Sequence, residues 1–135
     1  MAISDVRTAI ATSLKNISGL EVFEYAPSVL NPPAAYVLMD AGAMEYQQTA
    51  GTGTWTLSLS VVLAVGLMDR EETQKSLDTY CPPTGTSSIR SYILAATPGT
   101  AFDAIWCNHA KFSPMEYNGQ IYLTVRWEVK VMFYT

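Results

Sequence analysis

The stretch AIWCNHAKFSPMEYNGQIYLTVRWEVKVMFY, residues 104–134, decides the fold. Near its centre stands Asn118-Gly119, a dipeptide typical of a two-residue type I′ turn between antiparallel strands. With that turn Tyr117 pairs with Gln120, and paired residue numbers sum to a constant along the hairpin. One face then holds Ala104, Trp106, Asn108, Ala110 and Phe112 opposite Phe133, Val131, Val129, Trp127 and Val125. Apart from Asn108 this face is apolar, which supports the register.

The other face of the same hairpin is polar. It pairs Cys107 with Lys130, His109 with Glu128, and Lys111 with Arg126. Like charges directly opposite each other destabilise a sheet unless acidic groups neutralise them. We expect such groups from the helix start at Asp69–Glu72 or from a neighbouring subunit.

The length of the hairpin has a consequence for assembly. An unbroken strand over Gln120–Tyr134 would be about 50 Å long, whereas a compact chain of this size is about 37 Å across. The hairpin must therefore bend or project, and a projecting edge is tolerated mainly when another subunit covers it. Pro114 lacks a backbone donor, which predicts a bulge or a free edge at that point.

Upstream, the first third of the chain predicts one helix and two short strands. Ser4 or Asp5 can cap a helix that runs to about Asn16. Its apolar residues recur at helical spacing and form one stripe, made of Val6, Ile10, Leu14 and Ile17. Short apolar runs predict strands at Val22–Tyr25 and Ala35–Met39.

The middle third predicts a long strand and two helices. Apolar and polar residues alternate over 54–65, and the apolar set facing one way is Trp55, Leu57, Leu59, Val61, Leu63 and Val65. Asp69–Glu72 has capping-box spacing and starts a helix that ends near Tyr80. Residues 86–88 can cap a further helix through Ala96. Together the elements predict a single α+β domain over 1–135, with a mostly antiparallel or mixed sheet of about four or five strands. An N-terminal helix and a central helix pair flank this sheet, and its hairpins project.

The polar connection Asp40–Gly53 is long for a hairpin loop, and long loops in compact domains are usually functional or disordered. Two interpretations stay open for the segment at about 42–54: a solvated loop, or a flexible arm that becomes ordered on a partner. Aromatic residues near the hairpin tips suit protein interfaces. The residues that we expect at interfaces are Met44, Glu45, Tyr46, Gln47, Gln48, Trp55, Lys111, Tyr117, Tyr122 and Arg126.

Composition narrows the classes of function. Hydrophobic residues make up 49% of the 135 residues and charged residues only 15%, against roughly 25% in soluble domains. Few charges indicate a surface partly covered by other protein chains. The net charge is −4 and the sequence holds no run of Lys or Arg, which argues against binding of nucleic acid. The longest apolar run, Val61–Val65, is too short to cross a bilayer.

Catalytic, metal and cofactor sites are not expected. Cys107 and His109 lie two apart on one strand and could reach a common ion, but Cys81 is a poor third ligand for zinc. We interpret His109 as the cross-strand neighbour of Glu128, which leaves no base for a nucleophilic triad. Gly51-Thr-Gly53 precedes a strand, so it forms no phosphate cradle. Without a secretory segment, both cysteines are expected to be reduced.

The order of these elements resembles a known family. The matching stretches are Ile17-Ser-Gly-Leu-Glu-Val-Phe-Glu-Tyr25, Asn31-Pro-Pro-Ala-Ala35, Asp69-Arg-Glu-Glu72 with Leu77-Asp78, the break at 82–85 before Ser88-Ile89, Phe102-Asp-Ala-Ile-Trp106, Tyr117-Asn-Gly119 and Trp127-Glu-Val129. Together they look like the tail terminator (tail completion) proteins of long-tailed phages, or siphophages, especially those of actinobacteriophages. The likeness covers nearly the whole chain.

The resemblance implies a structural virion protein of the tail and neck, assembled in the host cytoplasm. Copies would form a ring, typically a hexamer, that caps the head-proximal end of the tail tube and ends its polymerisation. Its partners would be the tail tube protein and the connector or head-closure protein. DNA would pass through the lumen without specific binding, and no membrane, catalytic residue or cofactor is involved. Three alternatives stay open: another neck ring protein, a tail tube protein, or a small metal-binding enzyme.

Overall fold

The computed structural model of the chain describes residues 3–17, 19–25, 32–38, 44–49, 52–67, 70–82, 85, 87–95, 104–117 and 119–134. Within these ranges the elements are α1 (Ile3–Leu14), β1 (Glu21–Phe23), β2 (Ala34–Leu38), β3 (Met44–Thr49), β4 (Thr52–Leu67), α2 (Glu71–Tyr80), α3 (Ile89–Leu94), β5 (Ala104–Tyr117) and β6 (Gln120–Tyr134). The α+β class is confirmed.

The strands form one curled mixed sheet in the order β1-β2-β4-β6-β5, with β3 pairing a further part of β4. β1 and β2 are parallel, and the other neighbours are antiparallel. Six strands in the described ranges exceed the expected four or five, because the segment predicted to be an arm contributes β3.

The β5–β6 hairpin has the predicted register from its turn as far as His109. Tyr117 pairs with Gln120, and His109 pairs with Glu128. The register then shifts by one between Cys107 and His109, so that Cys107 pairs with Val129. An extra residue in one strand is a β-bulge, and it reverses the faces of everything beyond it.

This bulge corrects the predicted faces of the start of β5. Cys107 is buried in the main core, and Ile105 packs against that core. Trp106, which was expected on the apolar face, is opposite Lys130 and remains 39% exposed. The polar Asn108 at an apolar position was the sequence signal for this irregularity.

The predicted arm at 42–54 is instead largely a β-hairpin. Met44 pairs with Leu57, and the pairing continues to Thr49 opposite Thr52. Backbone hydrogen bonds to the neighbouring strand hold such a strand in the sheet regardless of its side chains. The run Glu45–Thr49 therefore forms a strand although its sequence shows no alternation of apolar and polar residues. Residues 42, 43, 50 and 51 of the prediction lie outside the described residues.

The main core lies between the sheet and the helices, on what we call the helix-covered face. The predicted stripe of α1, Val6, Ile10, Leu14 and Ile17, is buried there as expected. β4 contributes Leu57, Leu59, Val61, Leu63 and Val65, and β6 contributes Val125, Trp127, Val129 and Val131. α2 adds Tyr80 and α3 adds Ile89 and Ile93. Burial of each large apolar side chain stabilises the fold by about 1.5–3 kcal/mol.

A smaller apolar cluster occupies the opposite face, which we call the open face because none of the three described helices packs on it. Ala34, Tyr36, Val62 and Ala64 form this cluster, and Met115 and Tyr122 pack against it. The Tyr36 hydroxyl donates a hydrogen bond to the Met115 sulfur at 3.7 Å. Two strands separate β2 from β5 in the sheet, so this contact requires the sheet to curl towards its open face.

The two central helices begin differently. The Ser88 hydroxyl accepts a hydrogen bond from the Ser91 amide at 3.2 Å, which confirms the cap predicted for α3. At α2 the N-cap residue is Arg70, which makes no side-chain cap, and the predicted capping residue Asp69 lies outside the described residues. The turn before α2 is held by the Leu67 carbonyl, which accepts hydrogen bonds from the Thr73 hydroxyl and the Arg70 amide.

Candidate functional site

The residues expected at interfaces fall into two groups. Met44, Glu45, Tyr46, Gln47 and Gln48 lie on β3, and Tyr46 pairs with Trp55 of β4. Lys111, Tyr117, Tyr122 and Arg126 lie on the β5–β6 hairpin. β6 begins at the hairpin turn and ends where Tyr134 pairs with Thr54. The two groups therefore lie towards opposite ends of β6 and do not form one site.

Lys111 and Arg126 are direct cross-strand partners, as predicted. Both alternate with residues of the helix-covered face, so they lie on the open face. Lys130 lies on the same face of β6, next to Trp106 across the strand pair. Glu128 stands between Arg126 and Lys130, opposite His109. We call these six residues, Trp106, His109, Lys111, Arg126, Glu128 and Lys130, the basic face.

The acidic start of α2 cannot neutralise the basic face within one subunit. Glu71 and Glu72 belong to a helix whose buried side, Thr73 and Tyr80, faces the helix-covered side of the sheet. Lys111 and Arg126 lie on the other side. Asp69, the first residue of the predicted acidic helix start, lies outside the described residues.

Apolar surface is exposed at the distal part of the hairpin. Phe112 is 59% exposed and Ile121 is 54% exposed, although both belong to the face that the helices cover elsewhere. β5 is also the outermost strand of the described sheet, so its outer edge has no partner strand there. This confirms the free-edge position predicted for Pro114. An unpaired edge flanked by exposed apolar side chains is suited to contact another chain.

Tyr122, which was expected at an interface, makes contacts within its own subunit. It is half-buried, packs against the small cluster of the open face, and its hydroxyl donates a hydrogen bond to Gln120 Oε1 at 3.1 Å. Tyr117 is placed by its backbone pairing at the turn.

A shared metal site at Cys107 and His109 is excluded by the bulge between them. Cys107 is buried on the helix-covered face, whereas His109 is exposed on the open face. Burial raises the pKa of Cys107 to about 11, with a smaller opposing effect of Arg90. Burial and then Asp78 raise the pKa of Cys81 to about 11. Both thiols are protonated at neutral pH, the form that neither attacks nor binds metal. In the part of the chain that is described, no three His, Cys, Asp or Glu residues come together as metal ligands.

The raised pKa of Cys107 predicts a loss of stability at alkaline pH. The folded protein retains the thiol proton that the unfolded chain loses from about pH 9. Its contribution to stability is therefore complete below pH 9 and falls as the pH rises towards 11. Urea unfolding at pH 8 and at pH 10.5 tests this in the wild type and in Cys107→Ala. The difference in unfolding free energy between the two proteins should shrink at the higher pH, whereas a constant difference contradicts the prediction.

Searches of protein-family models and of curated proteins found no match to the chain. Among the described helices none has the length and apolar character needed to span a membrane; the longest, α1, has 12 residues. With no matching relative, the contacts of the basic face and of the free β5 edge are inferred from their own side chains.

Proposed function

We propose that this protein is a structural component of a phage virion that forms a ring at the head-proximal end of the tail tube. The ring ends polymerisation of the tube protein and provides the joint to the head connector. The sequence resemblance motivates the proposal. The observation that carries it is the β5–β6 hairpin, which combines a free strand edge with exposed Phe112 and Ile121.

A contact between two different surfaces of neighbouring copies favours a ring. The free edge belongs to β5 at one side of the sheet, and β1 lies at the opposite side of the strand order. A contact between two different surfaces of identical subunits is heterologous, and it gives a closed ring when its rotation closes. A ring with one exposed end for the tube and one for the connector is the arrangement that a terminator requires.

The buried chemistry also fits a structural role. Both thiols are held protonated, and Arg90 donates its Nε–H to the Cys107 carbonyl at 2.8 Å. This hydrogen bond joins α3 to β5. The net charge of −4 is consistent with a lumen through which DNA passes without being held.

A Phe112→Asp variant tests the proposal. Wild-type protein added to polymerising tail tube protein should cap the tubes, and light scattering should show a ring of fixed subunit number. Phe112→Asp should remain folded, because the side chain is exposed, but lose the ring and leave longer tubes in electron micrographs. Thr12→Asp adds the same charge at an exposed position of α1 and should behave as the wild type.

The two alternatives that also assemble give different results. If the protein alone forms long tubes, it is a tube protein. If it forms rings that bind the connector without changing tube length, it is another neck protein. If the wild type stays monomeric at high concentration with tube protein present, the proposal is wrong.

A further inference from the structure

We propose that the free edge of β5 pairs with the outer edge of β1 in the next copy, with Phe112 directly opposite Val22. The sheet then continues from one subunit to the next around the ring. The inference rests on the proposed function, since it names the surface that the β5 edge and Phe112 contact when the ring forms. The occupant of the β5 edge is thus a second copy of this chain.

The first support is the direction of the two outer strands. In the order β1-β2-β4-β6-β5, β1 is parallel to β2 and each later strand is antiparallel to the one before it. β5 therefore runs opposite to β1. A ring that keeps each face of the sheet on the same side brings β5 against β1 of the next copy in antiparallel orientation. Antiparallel pairing is slightly more stable per residue than parallel pairing.

The second support is a row of paired residues that crosses the sheet from one edge to the other. The row consists of Val22, Ala35, Leu63, Val125 and Phe112, each directly paired with the next. All of its side chains are apolar and lie on the helix-covered face. When the strands run along the ring axis, rotation about that axis brings Phe112 of one copy beside Val22 of the next.

β3 also has an unpaired edge in the described sheet, but it lies at a different height. β3 pairs with the stretch of β4 from Thr52 to Leu57, whereas the row that ends at Phe112 crosses β4 at Leu63. Six residues along a strand correspond to about 20 Å. The exposed part of β5 is therefore level with β1 and not with β3.

The third support is the direction of the backbone groups along β5. In an antiparallel pair, alternate residues direct their N–H and C=O groups to the partner strand and away from it. The Ser113 carbonyl accepts a hydrogen bond from the Thr124 hydroxyl of β6 at 2.8 Å, so the backbone groups of Ser113 face β6. Those of Phe112, the preceding residue, therefore point to the free edge.

The backbone of β1 presents matching groups. The Glu21 amide donates a hydrogen bond to the Pro33 carbonyl, next to β2, at 3.3 Å. The N–H and C=O of Val22 therefore point away from β2, to the outer edge of the sheet. Two antiparallel residues that both point towards each other exchange two hydrogen bonds, so Phe112 and Val22 of the next copy can form such a pair.

Pro114 limits this contact to the length of β1. It lies two residues from Phe112, so its missing N–H belongs to the free edge as well. In the proposed register Pro114 is opposite Leu20, which precedes the first residue of β1, Glu21. The donor is thus absent where the partner strand has already ended.

Side chains on the helix-covered face provide the apolar part of the contact. Phe112 is 59% exposed in the single subunit. Val22 and Leu20 are half-buried and pack against the edge of the main core. In the proposed register Phe112 lies over these two residues of the next copy, so the apolar core continues across the subunit boundary. Buried aromatic side chains dominate the energetics of such interfaces.

Side chains on the open face are complementary in charge. The register places Glu21 of the next copy opposite Ser113 and diagonal to Lys111. Diagonal neighbours on adjacent strands are about 7–8 Å apart, within reach of long side chains. Glu21 and Lys111 are both exposed, and neither forms an ion pair with another described residue.

Pairing of β5 with β5 of a second copy is less suitable. Centred on Phe112, this two-fold pairing would place Pro114 opposite Ala110 at two points, and each point would lack one backbone hydrogen bond. It would also produce a closed dimer and leave the edge of β1 unused.

A disulfide placed across the contact tests the register. Glu21→Cys with Ser113→Cys puts thiols on directly opposite residues of neighbouring copies, and both positions are exposed, so the variant should fold. The Cα atoms of such a pair are about 4.5 Å apart, within the range of a disulfide. After mild oxidation, non-reducing gels should show a ladder of linked subunits that ends at the subunit number of the ring.

Glu21→Cys with His109→Cys is the matched control. His109 is exposed on the same face of β5 but lies about 13 Å from Ser113 along the strand, so its ladder should be at least tenfold weaker. The single variants report any linkage through Cys81 or Cys107. Hydrogen exchange on the wild type is a second measurement: the amides of Phe112 and Val22 should exchange at least tenfold more slowly in the ring than in the dilute subunit.

The outcomes separate the inference from the proposed function. If the wild type forms rings but the ladder is no stronger than the control and neither amide is protected, the inference is wrong while the ring remains. If the wild type forms no ring, the proposed function fails and the inference fails with it. If Ser113→Cys alone is linked into dimers, β5 pairs with itself. If it is linked instead to the tail tube protein, the tube occupies the edge, and either result overturns the inference.

Discussion

Replacement of Leu63 by alanine is expected to lower the free energy of unfolding by about 2–5 kcal/mol. Leu63 is fully buried in β4 and pairs with Ala35 of β2 on one side and Val125 of β6 on the other. With strands on both sides, the backbone cannot close over the lost volume, so a cavity remains. We expect a cost in the upper half of that range.

Urea unfolding monitored by tryptophan fluorescence measures this cost. Leu94→Ala is the matched control, since the same atoms are removed from an exposed position of α3. Its effect should stay within about 0.5 kcal/mol. Equal effects of the two substitutions would mean that Leu63 does not lie in a packed core.

The elements with a strong local signal could be predicted from the sequence. Asn118-Gly119 set the pairing of Tyr117 with Gln120, and regular alternation identified the buried face of β4. Helical spacing identified the buried stripe of α1, and the range 86–88 predicted to cap α3 includes its N-cap, Ser88. In each case the residues that specify the element are neighbours in the sequence.

Features that depend on tertiary pairing could not be predicted in this way. β3 is held by its ladder with β4, and its polar side chains carry no apolar alternation. In the sequence, the register shift between Cys107 and His109 was indicated only by Asn108, a polar residue at an apolar position of the predicted face. The turn before α2 is held by a hydrogen bond from the Thr73 hydroxyl to the Leu67 carbonyl, which no local capping pattern indicated.

The same limit applies to the candidate site. The apposition of Lys111 and Arg126 followed from the turn, but Trp106 was assigned to the wrong face because the bulge lies between it and the turn. Once Trp106 is placed opposite Lys130, a third cation and an aromatic side chain join the pair. The basic face therefore exists only through the hairpin register, and no run of Lys or Arg in the sequence indicates it.

Replacement of Gly66 by alanine is expected to destabilise the protein by about 1–3 kcal/mol, since it overfills a packed site. Gly66 follows the register shift in β4, where α2 approaches the strand. A Cβ atom added there would lie 2.6 Å from the hydroxyl oxygen of Thr73. Thr73 is buried, and that hydroxyl donates to the Leu67 carbonyl at 2.7 Å, so it cannot move aside without breaking its hydrogen bond.

A double-mutant cycle separates this clash from a general intolerance of side chains at position 66. Thr73→Ala removes the hydroxyl, and the nearest remaining atom, its Cβ, would lie 3.5 Å from the new methyl group, an ordinary contact distance. Thr73→Ala alone should cost about 1 kcal/mol for the lost hydrogen bond. The double variant should then be no less stable than Thr73→Ala, which gives a favourable coupling above about 0.5 kcal/mol. Strictly additive effects in thermal and urea unfolding would show that α2 does not pack on Gly66 through Thr73.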